Sequence, residues 1–238
     1  DAVIVGAGVS GLFMFYKLRN MGLSVLVIEK SDELGGTWNW NRYPGARCDI
    51  PSLEYSYQFD EDLQQEWNWS EKYSAGPEIL EYLNHVAEKF DLKDYINFEE
   101  EVVQAKFNED SCFWSVSTNK KKYVAKFCIF ATGCLSIPNK PEIPGLESFE
   151  GKLLHTATWP REEQNFTDKN VAIIGTGSSS IQTIPEIAKD VKNLYVFQRT
   201  PNYSIPSNNG PMDKDVEAQV KARYSEFRKE NSLNGFGL

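Results

Sequence analysis

Short apolar runs alternate with glycine-bearing turns at the start of the chain, and the alternation predicts its first elements. "AVIV" (2–5) reads as a strand, "GAGVSG" as a turn, and the next residues place Leu12, Phe15, Tyr16 and Arg19 on one helical face. Gly22 sits where a helix stop belongs, and "SVLVIE" (24–29) reads as a second strand. Strand, glycine turn, helix, strand is one βαβ unit with a parallel pair. Residues 35–57 are rich in Gly, Trp, Tyr and Pro and show no period, and a loop of that length in a compact domain is often functional. A helix follows, with Pro77 at a first helical position and Ile79, Leu80, Leu83, Val86, Ala87 and Phe90 at helical spacing.

Residues 96–131 show three strand-like runs broken by "NEDS" and "NKKK", which predicts a β-meander. The stretch after Gly133, with Pro138, Pro141, Pro144 and Pro160, reads as a connector. Then the opening pattern returns: "NVAIIGTGSSSIQ" is strand, glycine turn and helix, and "NLYVFQRT" is the following strand. Pro185 falls inside that helix and is expected to kink it. Beyond Pro206 the chain turns polar, and "DKDVEAQVKARYSEFRKE" reads as one exposed helix.

Composition narrows the function classes. The 238 residues are 41% hydrophobic and 25% charged, and a net charge of −9 argues against nucleic acid as a partner. No apolar run approaches the ~18 residues that suggest a membrane span. Cys48, Cys112, Cys128 and Cys134 show no C-x-x-C spacing and, with two distant histidines, give no recognisable metal site. They read as free thiols, which places the chain in a reducing, cytoplasmic compartment. The chain opens without Met, directly at a strand, as though trimmed from something longer.

Gly6, Gly8 and Gly11 form G-x-G-x-x-G between a strand and a helix. The first glycine permits the tight turn, the second lets a pyrophosphate reach the backbone, and the third allows helix and strand to pack closely. Glu29 closes the second strand, where a carboxylate can bind ribose hydroxyls. Gly175, Thr176, Gly177, Ser178, Ser179, Ser180 and Ile181 form a second such turn, with serine in the third position. The offset from Gly6 to Glu29, applied to Gly175, reaches Gln198, followed by Arg199 and Thr200. A neutral residue there removes the repulsion of a 2′-phosphate, and Arg199 supplies a donor fork for one. The first site therefore fits FAD or NAD, and the second fits NADPH. A disulfide reductase would carry a redox cysteine pair after its first βαβ unit. Here "GGTWNWNRYPG" stands in that place, so a flavin would pass its electrons elsewhere, with O2 the obvious acceptor.

Two longer stretches carry a family resemblance. "FEGKLLHTATWP" (149–160) matches F-x-G-x-x-x-H-x-x-x-W-P, and "GGTWNWNRYPGARCD" matches G-G-x-W…Y-P-G-x-x-x-D. With "ATGCLSIP", "QEWNWSEKY" and "VFQRTPNYSIP", they resemble the flavin-containing (type I) Baeyer–Villiger monooxygenases of the phenylacetone and cyclohexanone monooxygenase branch. The resemblance covers essentially the whole chain and implies an α/β fold of two Rossmann-like, three-layer dinucleotide-binding domains, the second truncated. Residues 1–140 would belong to the FAD-binding domain, with the meander at 96–131. Residues 141–168 would be a linker holding the 149–160 fingerprint. Residues 169–238 would open the NADP-binding domain and run into a helical insertion.

The resemblance also implies roles. FAD and NADPH are the expected cofactors; a small ketone and O2 are the expected substrates, joined through a C4a-peroxyflavin to give an ester or lactone. Glu29 would bind the FAD ribose, Thr37, Trp38, Asp49 and Tyr55 would line the flavin, and Val102 would meet the adenine. Arg47, Cys48 and Asp49 would face the nicotinamide. Asp49 has the catalytic role, pairing with an arginine that the family carries beyond the second glycine loop and that lies outside these 238 residues. Gly151, His155 and Trp159 would couple domain movement to the flavin site, or His155 would simply cap a loop. On this reading the chain looks like an N-terminal half, incompetent by itself. Two alternatives stay open: a monooxygenase oxidising nitrogen or sulfur, and a nucleotide-binding fragment without turnover.

Overall fold

The computed structural model describes residues 1–233. In chain order the elements are β1 (Ala2–Val5), α1 (Val9–Asn20), β2 (Val25–Ile28), α2 (Thr37–Trp40), α3 (Glu61–Glu66) and α4 (Gly76–Lys89). They continue with β3 (Ile96–Asn97), β4 (Val102–Asn108), β5 (Phe113–Thr118), β6 (Lys122–Ala125) and β7 (Phe127–Phe130). The last are β8 (Asn170–Ile174), α5 (Ser178–Ile187), β9 (Asn193–Phe197), α6 (Lys214–Ala222) and α7 (Tyr224–Ser232). The chain divides into two compact units: Asp1–Asn41 with Leu80–Trp159, and Arg42–Ile79 with Pro160 onward. The sequence pattern places 42–79 inside a first domain ending at 140; in the structure this segment groups with the second βαβ unit. The end of the expected second domain, at 238, lies outside the described residues.

In the first unit a parallel sheet runs β3-β2-β1-β7. Val3 is in register with Leu26 and Cys128, while Ile4 is in register with Val27 and Ile129. Strand alternation sends these two sets to opposite faces. Val3 and Ile28 pack with Val116 and Ala125 of the antiparallel β4-β5-β6 sheet, and Leu26, Cys128 and Trp114 pack around them. Ile4 and Val27 are fully buried without belonging to that cluster. With both faces covered, the strands read as continuous apolar runs. In α4, Ile79, Tyr82, Leu83, Val86 and Ala87 are buried at helical spacing.

The expected meander at 96–131 is narrower than the sequence suggested. Only 102–125 forms the antiparallel sheet; Ile96–Asn97 and Phe127–Phe130 join the parallel sheet beside β2 and β1. The sequence runs look continuous because one extended segment serves both sheets in turn.

Glu100 stands at one of these handovers and is 3% exposed. Its Oε1 accepts hydrogen bonds from Thr118 Oγ1 (2.7 Å) and Tyr123 Oη (2.8 Å), and its Oε2 accepts one from Asn97 Nδ2 (3.2 Å). Burial pushes this carboxyl up, but the three donors and the Lys121 charge outweigh it and hold it below the ordinary carboxylate value. A depressed folded-state value gives stability that is present above the unfolded value and lost as pH falls through the folded one. Urea midpoints should therefore drop on acidification below about pH 4, and Glu100→Gln should flatten that drop. Parallel pH profiles for the two proteins would refute the assignment.

In the second unit β8 and β9 form a parallel pair joined by α5, which continues through Pro185 to Ile187. The expected single exposed helix after Pro206 is instead two helices, broken at Arg223 (φ −133°), and it is partly buried. Glu217 is 4% and Tyr224 6% exposed. Tyr224 Oη donates to Leu53 O (2.9 Å), Arg228 to Glu54 O (2.8 Å), and Lys221 Nζ to Gln65 O (2.9 Å) and Trp67 O (2.7 Å). Long polar side chains meeting backbone carbonyls leave no apolar period, so the sequence pattern missed this burial. Among the described residues, no helix is long and apolar enough to cross a membrane, and no group of His, Cys, Asp and Glu could hold a metal ion.

Candidate functional site

The β1–α1 turn is built as its glycines require. Gly6 adopts φ +106°, and its N–H donates to Ile28 O (2.8 Å). A Cβ on Gly6 would lie 2.6 Å from Ala131 O, and one on Gly11 would lie 1.9 Å from Gly6 O. Gly8 faces Gly36, the second glycine of the G-G-x-W stretch: a Cβ on Gly36 would come within 3.0 Å of Gly8 Cα. The Gly35 N–H donates to Ala7 O (2.9 Å), so the Gly-Gly pair docks on the first turn through backbone alone. Glu29 is buried beside it, with Oε2 accepting from the Ala7 N–H (2.7 Å) and Oε1 from the Ser31 N–H (2.8 Å). Trp38 is buried in α2, next to Thr37. Val102 packs against the Val3–Ile28 cluster at the start of β4. The structure thus brings Gly6, Gly8, Gly11, Glu29, Thr37, Trp38 and Val102 into one unit.

The second unit repeats the turn more loosely. Gly175 adopts φ +104°, and its N–H donates to Phe197 O (2.8 Å). The nearest atom to a Cβ on Gly175 would be Ser180 Oγ, at 4.0 Å, and around Gly177 nothing lies within 4 Å. Serine holds the third position here, with its hydroxyl the nearest group to a Cβ on Gly175. Gln198 Nε2 donates to Thr176 Oγ1 (2.8 Å), tying the end of β9 to the turn, and Arg199 and Thr200 are exposed just beyond.

The helix ends share a charge pattern. Neither α1 nor α5 has a side-chain cap, and neither carries an acidic residue in its first turn. By contrast, Asp60 caps α3 and Asp213 caps α6, each followed by acidic residues in the first turn. A helix start with no side-chain cap and no carboxylate in its own first turn favours an anion. Both glycine turns therefore fit a dinucleotide pyrophosphate, and their lack of Cβ atoms leaves the backbone accessible.

Arg47, Cys48, Asp49 and Tyr55 belong to the second unit, with the β8–α5 turn. Arg47 Nη1 donates to Glu71 Oε2 (2.8 Å) and Tyr73 O (3.1 Å), and Asn209 Nδ2 donates to the same Glu71 oxygen (2.6 Å). The Arg47 hydrogen bond holds the Glu71 carboxyl below its usual value against desolvation, with Asn209 and the Arg47 charge adding to the effect. Burial pushes the Cys48 thiol up, and the Asp49 charge adds to this, against backbone hydrogen bonds from Ile50 and Asp49. Cys48 is thus a poor thiolate, and all four cysteines are free. Asp49 is exposed, and its Oδ1 accepts from Gln182 Nε2 (3.0 Å).

Gly45 explains the glycine of the Y-P-G segment. It adopts φ +79°, and a Cβ there would lie 2.3 Å from the Gln182 carbonyl oxygen on α5. Gly45→Ala should cost about 2–3 kcal/mol in the second unit, combining left-handed strain with the clash. Gly22→Ala isolates the strain, because Gly22 has φ +78° and nothing within 4 Å. Equal losses of urea midpoint in the two variants would count against the clash.

The 149–160 fingerprint is more local than its family role. His155 Nδ1 accepts from the Ala157 N–H (3.2 Å), which fixes the tautomer and leaves Nε2–H to donate to Asn139 O (3.2 Å). The ring caps the short turn Thr156–Thr158 and ties it to the connector. A Cβ on Gly151 would lie 2.5 Å from the Phe149 ring, so glycine there lets Phe149 fold over the backbone. Trp159 follows the turn, partly buried.

Residues 3–235 match the family described as "Pyridine nucleotide-disulphide oxidoreductase", and the chain belongs to that family. It is 43% identical over 229 residues to the acetone monooxygenase (methyl acetate-forming) of Gordonia sp. (strain TY-5), covering 96% of this chain and 43% of that protein. Its structure is similar to that of an oxidised steroid monooxygenase bound to NADP, with a TM-score of 0.94 and 48% identity over 99% of this chain and 45% of the other. It is also similar to OTEMO in complex with FAD and NADP, with a TM-score of 0.93 and 39% identity over 98% and 45%. It is similar to the type I Baeyer–Villiger monooxygenases and spans less than half the length of these relatives, in their N-terminal portion.

Proposed function

We propose that this chain is the part of a Baeyer–Villiger monooxygenase that binds FAD in its first unit and NADPH in its second. The carrying observation is the pair of glycine turns that open onto uncapped, acid-free helix starts. Gly6, Gly8, Gly11 and Glu29 would hold FAD, with Thr37 and Trp38 along the flavin and Val102 by the adenine. Gly175 to Ile181 would take the NADPH pyrophosphate. Arg199 and Thr200 would take the 2′-phosphate, the choice that separates NADPH from NADH. Bound together, the cofactors would supply hydride transfer and oxygen activation, and a ketone would leave as an ester or lactone. Arg47 and Asp49 keep fixed charges on the second unit's loop, and Asp49 is read as the carboxylate that orients the family's active-site arginine. Gly151, His155 and Trp159 would link domain movement to the flavin site through the loop that His155 caps.

The test begins with the purified chain reconstituted with FAD. NADPH is added without oxygen and the flavin absorbance is followed. Bleaching with NADPH, and much less with NADH, is the expected result. If FAD is retained but neither nucleotide bleaches it, the second site has been misread. In the full-length protein, ester formation from a ketone is expected; conversion of a sulfide or amine with no ester from any ketone would favour heteroatom oxidation.

A further inference from the structure

Gln182 is the residue on which the second unit's loop converges, and its place in the sequence does not mark it out. It lies on α5, one turn past the glycine loop. Its Oε1 accepts from Tyr43 Oη (3.0 Å) and from the Arg47 N–H (3.3 Å), while its Nε2 donates to Arg47 O (3.0 Å) and Asp49 Oδ1 (3.0 Å). The orientation of the amide is settled by its partners. The Arg47 N–H can only donate, and the Arg47 carbonyl and the Asp49 carboxylate can only accept, so one end must be oxygen and the other NH2. No other side chain of this length offers both. Gly45 reinforces the contact, since only a residue without Cβ lets the loop rest on the Gln182 carbonyl.

We propose that Gln182 is a positioning residue that fixes Asp49 relative to α5, so that the helix whose start receives the NADP pyrophosphate carries the Asp49 loop with it. The inference rests on the proposed function, which gives Asp49 its role. A simple loop tether would need only the bonds to Tyr43 and the Arg47 backbone. The fourth bond runs to Asp49, the side chain that the proposed function gives the orienting role, and it supplies a donor to a carboxylate that is otherwise open to solvent. Arg47 is restrained separately, by Glu71 and Tyr73, so Gln182 acts on its backbone and on Asp49 but not on its guanidinium.

The experiment is a double-mutant cycle in the FAD-loaded, full-length protein, using Gln182→Leu, Gln182→Glu, Asp49→Ala and the Leu/Ala pair. Gln182→Leu should lower kcat about tenfold, the scale of one hydrogen bond to a charged group, with the ketone KM within about twofold. In the Asp49→Ala background the same change should cost less than about twofold. Gln182→Glu keeps the acceptor for Tyr43 and the Arg47 N–H but repels Asp49. It should hold its urea midpoint better than Gln182→Leu while losing kcat to a similar degree. Losses that multiply across the cycle, or a Gln182→Glu enzyme with wild-type kcat, would overturn the proposal. If the wild-type protein oxidises no ketone, the proposed function has failed. The Gln182–Asp49 link is then read from urea midpoints and NADP+ dissociation constants across the same four proteins, where non-additive changes sustain it and additive ones sink it.

Discussion

Gly11→Ala is expected to unfold the first unit or strip it of FAD. The added Cβ would sit 1.9 Å from the Gly6 carbonyl oxygen, well inside any real contact, with Gly6 C at 3.0 Å and Ala131 Cβ at 3.6 Å behind it. Nothing flexible can yield, since the obstacle is backbone held by the Gly6 N–H bond to Ile28 O. Helix α1 must lift from the sheet, which also exposes the neighbouring Leu12 and Phe15, each 1% exposed. The cost should reach about 3–5 kcal/mol, at the severe end for one substitution. Urea midpoints and the flavin absorbance left after gel filtration measure it, and a variant matching wild type in both would show that the turn is not packed as described.

Gly177→Ala should do the reverse, leaving the fold intact and removing NADP. Gly177 has φ −76°, which any residue adopts, and nothing lies within 4 Å of an added Cβ. Stability should change by no more than about 0.5 kcal/mol. The methyl would stand where the backbone must meet the pyrophosphate, so NADP+ affinity should fall about tenfold or more while FAD retention holds. An unchanged NADP+ dissociation constant would remove the second turn from the nucleotide site. The two substitutions add the same methyl at different places, the third position of one turn and the second of the other, and the surroundings of each decide the outcome.

Much of the architecture could be read from the sequence because it is local. Both βαβ units follow from apolar runs flanking glycines, and the end of the second strand marks Glu29, the carboxylate that the structure buries against the Ala7 N–H. The free cysteines and the serine at position 180 were also visible. The meander was overdrawn, because a run such as Lys122–Phe130 gives no sign of leaving one sheet for another at Lys126. The polar tail was misjudged because Tyr224, Arg228 and Lys221 bury themselves against carbonyls, and side-chain polarity cannot show that.

Local sequence suffices for the two glycine turns, the strands and helices around them, the difference between Glu29 and Gln198, and the two family fingerprints. Each depends on residues a few positions apart, whose conformational limits and charges act without a distant partner. The tertiary structure alone decided that 42–79 belongs with the second βαβ unit, that Gly36 meets Gly8, and that Gln182 holds Asp49 from 133 positions away. Those pairings are made when the chain closes on itself, and a carboxamide or a glycine carries no mark of which distant backbone it will meet.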